Sequence, residues 1–273
     1  MLLAVDIGNT AVTLGVFETG REKGRAGEGD GGLAEPLWRR SLATSGESSP
    51  EGWSGAVGGV LSEAGTGSGD VDSAMVCSVV PGVEADFSAA LRALFGSPPL
   101  VLSDGEAAGR AARMGVLTDQ PAEVGADRVV AAAAAYAIYG GPVIVVDSGT
   151  ALTVDYVDGD GNYLGGAIAP GVETGTAALV EKAARLDPVE LRRPERAVGR
   201  STDEALRSGF YYGFSGLVDR VVEKMEAEEG RAATVVATGG WAALVAAGSE
   251  RIGVVDESLT LKGLLLIYGK GRH

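Results

Sequence analysis

The chain has 273 residues, 45 % of them hydrophobic, and a formal net charge of −14. That length suits one large or two medium domains, each with a proper core. The acidic balance argues against nucleic acid or an anionic membrane surface as the main partner, since both demand basic patches. It leaves a nucleotide open, because local backbone donors and a metal ion can meet a small anion. No apolar stretch is long enough to span a bilayer, and no basic, cleavable leader precedes the first strand. The one cysteine, Cys77, lies in an apolar run and reads as a small core residue. A single cysteine rules out an internal disulfide and fits the cytoplasm. The one histidine, His273, is the last residue, which excludes a Ser-His-Asp or Cys-His triad within one chain. No Cys/His cluster has zinc-site spacing.

Leu2 to Val5 is an apolar run, the mark of a strand buried on both faces. It delivers Asp6 into a turn containing Gly8, Asn9 and Thr10, and a second strand follows from Ala11 to Phe17. Gly8 removes the Cβ that would keep a phosphate off the backbone. Asn9, Thr10 and the turn amides can then donate to phosphate oxygens. An aspartate that merely closes a hairpin would look the same. Gly20 to Gly32 is Gly-rich and charged and reads as a mobile surface loop. Leu37 to Thr44 is a third strand, and Gly52 to Ala64 a helix with Trp53, Val57, Val60 and Leu61 on one side. Ser73 to Val80 is a buried strand closed by Pro81-Gly82. Val83 to Phe95 is a helix, Pro99 to Leu102 a short strand, and Glu106 to Arg113 a short helix near an inter-domain cleft.

Leu117 to Val130 runs from a loop into a helix made largely of alanine. Asp127 and Arg128 sit where loop becomes helix. Asp127 there can simply favour the first turn of a helix. It can also be a catalytic carboxylate beside a guanidinium that forks onto a substrate carboxylate. Val143 to Asp155 then repeats the first layout: an apolar strand, Asp147, Gly149, Thr150 and a second strand. Val172 to Leu186 is an amphipathic helix, and Pro188 to Arg200 is irregular and basic. Thr202 to Glu228 is a long helix with Thr202 as N-cap and Glu204 in its first turn. Ala233 to Gly240 is a buried strand ending in a glycine pair, and Leu259 to Tyr268 a closing helix.

Two strand–Asp-x-Gly–strand units about half a chain apart point to a duplicated domain. This layout resembles the actin, sugar kinase and acetate kinase superfamily. That resemblance implies an α/β fold of two duplicated actin-like (ribonuclease H-like) domains with a nucleotide cleft between them. We place the N-terminal one at residues 1–122 and the C-terminal, dimerising one at 123–273. The motifs are more specific than the superfamily. Asp6-Ile-Gly-Asn-Thr10, Cys77-Ser-Val-Val-Pro81, Pro121-Ala-Glu-Val-Gly-Ala-Asp-Arg128, Asp147-Ser-Gly-Thr150, Gly165 to Gly171, Thr238-Gly-Gly240 and Leu259 to Gly263 occur in this order. Together they resemble type III pantothenate kinase over nearly the whole chain.

The resemblance implies ATP-dependent phosphorylation of pantothenate, the first step of coenzyme A biosynthesis, by a cytoplasmic homodimer. It implies that Asp6, Gly8, Asn9, Thr10, Thr13 and Thr150 bind ATP, with Asp6 also toward Mg²⁺. Asp147 would bind a monovalent cation, K⁺ or NH₄⁺. Thr118, Gly125, Ala126, Asp127 and Arg128 would bind pantothenate, with Asp127 as the base. Thr202 would complete the pantothenate site of the neighbouring subunit. Thr118, Gln120, Gly175 and Ser201 depart from the family's commoner residues, and several border the acceptor pocket. A kinase for another small alcohol is therefore one alternative, and a non-catalytic nucleotide-binding regulator a second.

Overall fold

The computed structural model describes residues 1–19, 33–47, 49–183 and 186–271. The expected Gly20–Gly32 loop and His273 lie outside them. The chain divides into two compact units, 1–139 with 258–273, and 140–257.

In the first unit β1 (Leu2–Ile7) and β2 (Ala11–Phe17) form the expected hairpin, and β3 (Trp38–Ala43) extends it antiparallel. Helix α1 (Pro50–Glu63) follows, with Pro50 in the first turn, where a missing N–H costs nothing. Its N-cap is Ser49, whose Oγ accepts from Gly52 N at 3.1 Å. Strand β4 (Ser73–Ser78), α2 (Pro81–Phe95), β5 (Leu100–Leu102) and α3 (Gly105–Ala112) come next. Helix α4 (Ala126–Tyr139) closes this run. The sheet order is β3-β2-β1-β4-β5, with β4 parallel to both β1 and β5.

Alternation along the strands sorts this unit's interior. Leu3, Val5 and Ile7 join Trp53, Val57, Leu61, Phe87 and Leu91 in one core, so α1 and α2 cover that face. Trp53 and Phe87 meet edge to face, with centroids 5.1 Å apart. Removing either ring would cost about 3–5 kcal/mol. The alternate residues of β1, Asp6 among them, face the other way. There α4 packs on β4, and α8 (Leu259–Lys270) packs on β1 and on α4.

The chain divides at Tyr139–Gly140 and not at the expected 122/123, and its last helix returns to the first unit. Small residues let α8 sit so close. A Cβ on Gly263 would collide with the Val130 carbonyl, and one on Gly15 would come within 2.8 Å of Leu261 Cδ1. Lys262, only 5 % exposed, is ion-paired with Glu35.

The second unit holds β6 (Val143–Ser148), β7 (Ala151–Val157), β8 (Tyr163–Pro170), α5 (Val172–Lys182), α6 (Thr202–Glu229), β9 (Thr234–Thr238), α7 (Ala242–Gly248) and β10 (Val254–Val255). Its sheet order, β10-β9-β6-β7-β8, is that of the first sheet read in reverse. Each unit is therefore an actin-like α/β layer built on one hairpin and parallel crossovers. Helix α5 ends four residues short of the expected Leu186 and buries only Val172, so the amphipathic pattern read there does not make a core face. Helix α6 is capped by Ser201 rather than by Thr202. Ser201 Oγ accepts from Glu204 N at 3.2 Å, and Glu204 Oε2 accepts from Arg200 N at 2.7 Å. Either hydroxyl residue could cap by sequence; the reach of Glu204 back to Arg200 fixes the start at Ser201. Among the described residues no helix is long and apolar enough to cross a membrane.

Candidate active site

Strand register gathers the candidate residues of the first unit. Asp6 stands opposite Thr13 on β2 and opposite Cys77 on β4, and Thr13 stands opposite Ser41 on β3. Directly opposed residues share a face, so these four side chains form one polar row across the sheet. Thr13 Oγ1 and Ser41 Oγ are 3.1 Å apart, and the Cys77 thiol donates to Asp6 Oδ1 at 3.3 Å. Cys77 is fully buried. Burial first, then the carboxylates of Asp6 and Asp127, push its thiol well above the ordinary value. A neutral donor under Asp6 is the result.

Asp127 belongs to the same neighbourhood. It is half-buried in the first turn of α4, and its Oδ1 accepts from the Arg128 amide at 2.8 Å. Gly125 makes room for it. A Cβ there would stand 2.5 Å from Asp127 Oδ1 and 3.4 Å from Val79 Cγ1, so the sequence before the helix must be this small. The segment is pinned from α3, where Gly105 N donates to Val124 O at 2.7 Å. Ala126 is fully buried and packs in the interior. Thr118, a few residues upstream, has a buried hydroxyl with no hydrogen-bond partner. A buried polar atom left unpaired costs about 1–3 kcal/mol, so this one suits a ligand's polar group.

The Gly8 turn is closed by Gly8 N donating to Ala11 O at 3.0 Å, which engages one of the amides read as a phosphate donor. Asn9 and Thr10 are exposed beyond it. The turn is tied from behind by Thr44, a buried residue just past β3. Its amide donates to Thr10 O at 3.0 Å and its hydroxyl to Gly8 O at 2.7 Å.

The second unit repeats the plan. Asp147 stands opposite Thr153 on β7 and opposite Thr238 on β9. Its turn is one residue tighter, closed by Gly149 N to Ala151 O at 3.0 Å, and Thr150 is exposed at its tip. Gly239, at φ 90°, packs so closely that a Cβ would collide with Asp147 Oδ1 and stand 2.7 Å from Ser148 O. The glycine just past β9 therefore accommodates the Asp147 carboxylate. Thr150 O accepts from Gly171 N at 3.1 Å and from Thr174 Oγ1 at 2.7 Å. Thr202 is exposed at the start of α6.

Among the described residues no three His, Cys, Asp or Glu side chains gather into a metal-holding group. One carboxylate is enough for Mg²⁺, which keeps most of its waters and is carried largely by phosphate oxygens. The Asp147 carboxylate is a hard oxygen donor, a type that fits a monovalent cation as well. Sequence reasoning missed Ser41, Thr44 and Thr174. Nothing in a lone Ser or Thr marks it, since each gains its role from the register of a strand or helix arriving from elsewhere.

Against this geometry the comparisons with known proteins are specific. The sequence model of type III pantothenate kinase matches residues 2–224. A type III pantothenate kinase of Dehalococcoides mccartyi is 42 % identical over 267 residues, covering 98 % of this chain and 95 % of its own. One from Geobacter sulfurreducens is 38 % identical over 273 residues, with both chains fully covered. A solved structure from Campylobacter jejuni, described as a candidate transcriptional activator of the Baf family, superposes with a TM-score of 0.59 at 17 % identity, over 99 % of this chain and 98 % of that one. That likeness speaks for the fold alone.

Proposed function

We infer the reaction from one premise: this chain belongs to the type III pantothenate kinase family. It transfers the γ-phosphoryl group of ATP to pantothenate, giving 4′-phosphopantothenate and ADP at the start of coenzyme A biosynthesis. The observation that supports the residue assignment is at the end of β4, where Cys77 donates to Asp6 Oδ1 at 3.3 Å and Gly125, against Asp127 Oδ1, packs beside Val79.

Phosphoryl transfer leaves little covalent work to a protein; positioning and charge neutralisation supply most of the barrier reduction. Asn9, Thr10 and Thr13 contact the ATP phosphates, and Gly8 lets them approach the backbone; Thr150 is a further ATP-binding residue. Asp6 would hold Mg²⁺, which would supply neutralisation of the phosphate charge. Asp127 accepts a hydrogen bond from the pantothenate hydroxyl, aims it, and takes its proton as the bond to phosphorus forms. Arg128 pairs with the pantothenate carboxylate. The buried Thr118 hydroxyl, without a hydrogen-bond partner among the described residues, supports its role in binding the acceptor. Asp147 holds K⁺ or NH₄⁺.

The active form is a homodimer, with Thr202 completing the partner's acceptor site. Helix α6 supports this reading, because it buries a single narrow stripe of Ser208, Tyr211, Ser215, Val218 and Val222. Tyr212 on α6, Leu179 on α5 and Ile168 on β8 stand 45 %, 42 % and 66 % exposed, apolar surface a second copy would cover. The cytoplasm, where ATP and pantothenate are both at hand, is its place of work. The test is ADP release by the purified protein with Mg²⁺·ATP. Release should require both pantothenate and K⁺ or NH₄⁺, and pantothenate-independent release would overturn the reading.

A further inference from the structure

We propose that Thr44 is a positioning residue for phosphoryl transfer, a buried latch that holds the Gly8–Thr10 turn in its phosphate-receiving shape. The inference rests on the reading of that turn as an ATP phosphate site. Thr44 is 6 % exposed and lies outside the turn, just past β3. Its backbone amide donates to Thr10 O at 3.0 Å and its hydroxyl to Gly8 O at 2.7 Å, so one residue holds both ends of the turn. Within the turn, Gly8 N donates to Ala11 O at 3.0 Å. Ordering a short exposed turn at the moment of binding costs affinity. A latch made before ATP arrives removes that cost.

The second unit reaches a similar solution. Thr150 O accepts from Thr174 Oγ1 at 2.7 Å and from Gly171 N at 3.1 Å. The amide tie continues the strand ladder in both units, Thr44 following the Ala11–Ala43 pair and Gly171 the Ala151–Pro170 pair. The hydroxyl tie comes from non-equivalent positions, Thr44 itself in one unit and Thr174 on α5 in the other, so it is the hydroxyl that the latch adds to the ladder.

The experiment compares Thr44→Val, which keeps the shape and removes the donor, with Thr44→Ser, which keeps the donor. ADP binding is followed by calorimetry and initial rates are measured at varied ATP and varied pantothenate. Thr10→Glu, which sets a negative charge in the turn, tests the underlying reading. A latch predicts ADP affinity and the KM for ATP worsened about tenfold in Thr44→Val, the scale of leaving one buried acceptor unpaired. The KM for pantothenate should be unchanged, and Thr44→Ser should be close to wild type. Equal impairment of the Ser and Val variants would overturn the latch, since shape and not the hydroxyl would then matter. Normal ADP binding by Thr44→Val, with binding lost in Thr10→Glu, would overturn the latch and leave the phosphate reading standing. Normal ADP binding by Thr10→Glu would overturn both. If Thr44→Val does not fold, Thr44→Ala set against Thr44→Ser decides on the same criteria.

Discussion

Asp6 and Asp147 occupy matching places in two sheets of one strand order, each opposite a threonine on the next strand, Thr13 and Thr153. Their other flanks have diverged. Asp6 has Cys77 across the parallel pairing, and Asp147 has Thr238. Beyond Cys77 the first unit brings in a second carboxylate, Asp127, within electrostatic reach of the same thiol. Beyond Thr238 the second unit brings in Gly239, where a Cβ would meet both Asp147 Oδ1 and the Ser148 carbonyl. The two units thus share the strand that presents a carboxylate and differ in what surrounds it. On the proposed reading that difference divides the work, with proton and Mg²⁺ chemistry at Asp127 and Asp6 and a simple cation at Asp147.

The sharpest way to break this division is to disarm the first unit alone. Asp127→Asn keeps the shape and the helix and removes the base. We expect it to fold, to bind ATP, and to lose about 10²–10⁴-fold in turnover, the range of a positioned general base. If Asp127 only favours the start of α4, the loss is about 0.3–1 kcal/mol of stability with turnover near normal. Turnover and melting temperature on one preparation separate the two.

The two glycines that make room for the aspartates sharpen the comparison at the next scale. A Cβ at Gly125 would press on Asp127 Oδ1 from 2.5 Å, and one at Gly239 would collide with Asp147 Oδ1 at a positive φ of 90°. Backbone strain of the second kind costs about 1–3 kcal/mol for a non-glycine residue. Gly125→Ala should therefore lower turnover at saturating K⁺. Gly239→Ala should instead shift the K⁺ concentration needed for activation, as Asp147→Asn should. Equal K⁺ response in both glycine variants would show that the two turns do not divide the work as argued.

Much of the framework was readable from residue pattern. The hairpins, the Trp53–Val57–Leu61 face and the Asp-x-Gly repeat rest on local periodicity, which folding preserves. The domain boundary was not readable, because it depends on where α8 docks, and that follows from gaps over Gly15 and Gly263 made by distant residues. The cap of α6 went to Ser201 because a neighbouring glutamate reached back, a competition that two adjacent hydroxyl residues conceal. Cys77 was read as a core residue, and it is one. Its hydrogen bond to Asp6 came from a parallel register joining positions 71 residues apart, which no local signal records.

That register difference has a pH signature. Cys77 titrates and its counterpart Thr238 does not. An unfolded thiol has a pKa of about 8.5, and burial raises the folded one well above its ordinary value. Below about pH 8.5 both states hold the proton, so the contribution is fully present. As pH rises further the unfolded chain releases its proton first, and stability falls by about 1.4 kcal/mol per pH unit until the folded thiol also ionises. Wild type should lose melting temperature above that pH more steeply than Cys77→Ser. Parallel curves would mean the thiol is not held neutral beneath Asp6.

The smallest expected effect separates the two threonine ties. Thr44 is buried and its bond to Gly8 O is part-buried, so water replaces its lost hydroxyl less readily, whereas Thr174 is exposed. Water can take the place of the Thr174 hydroxyl at Thr150 O, and Gly171 N still donates there at 3.1 Å. An exposed hydrogen bond that solvent can replace falls at the low end of the usual net value, about 0.5 kcal/mol, or roughly twofold in affinity. Thr174→Val should therefore raise the KM for ATP by about twofold, where Thr44→Val raises it about tenfold. The order matters more than either figure, because it follows from burial alone. If Thr174→Val were the more damaging, burial would not set the order and the turns would be held by something other than these hydroxyls.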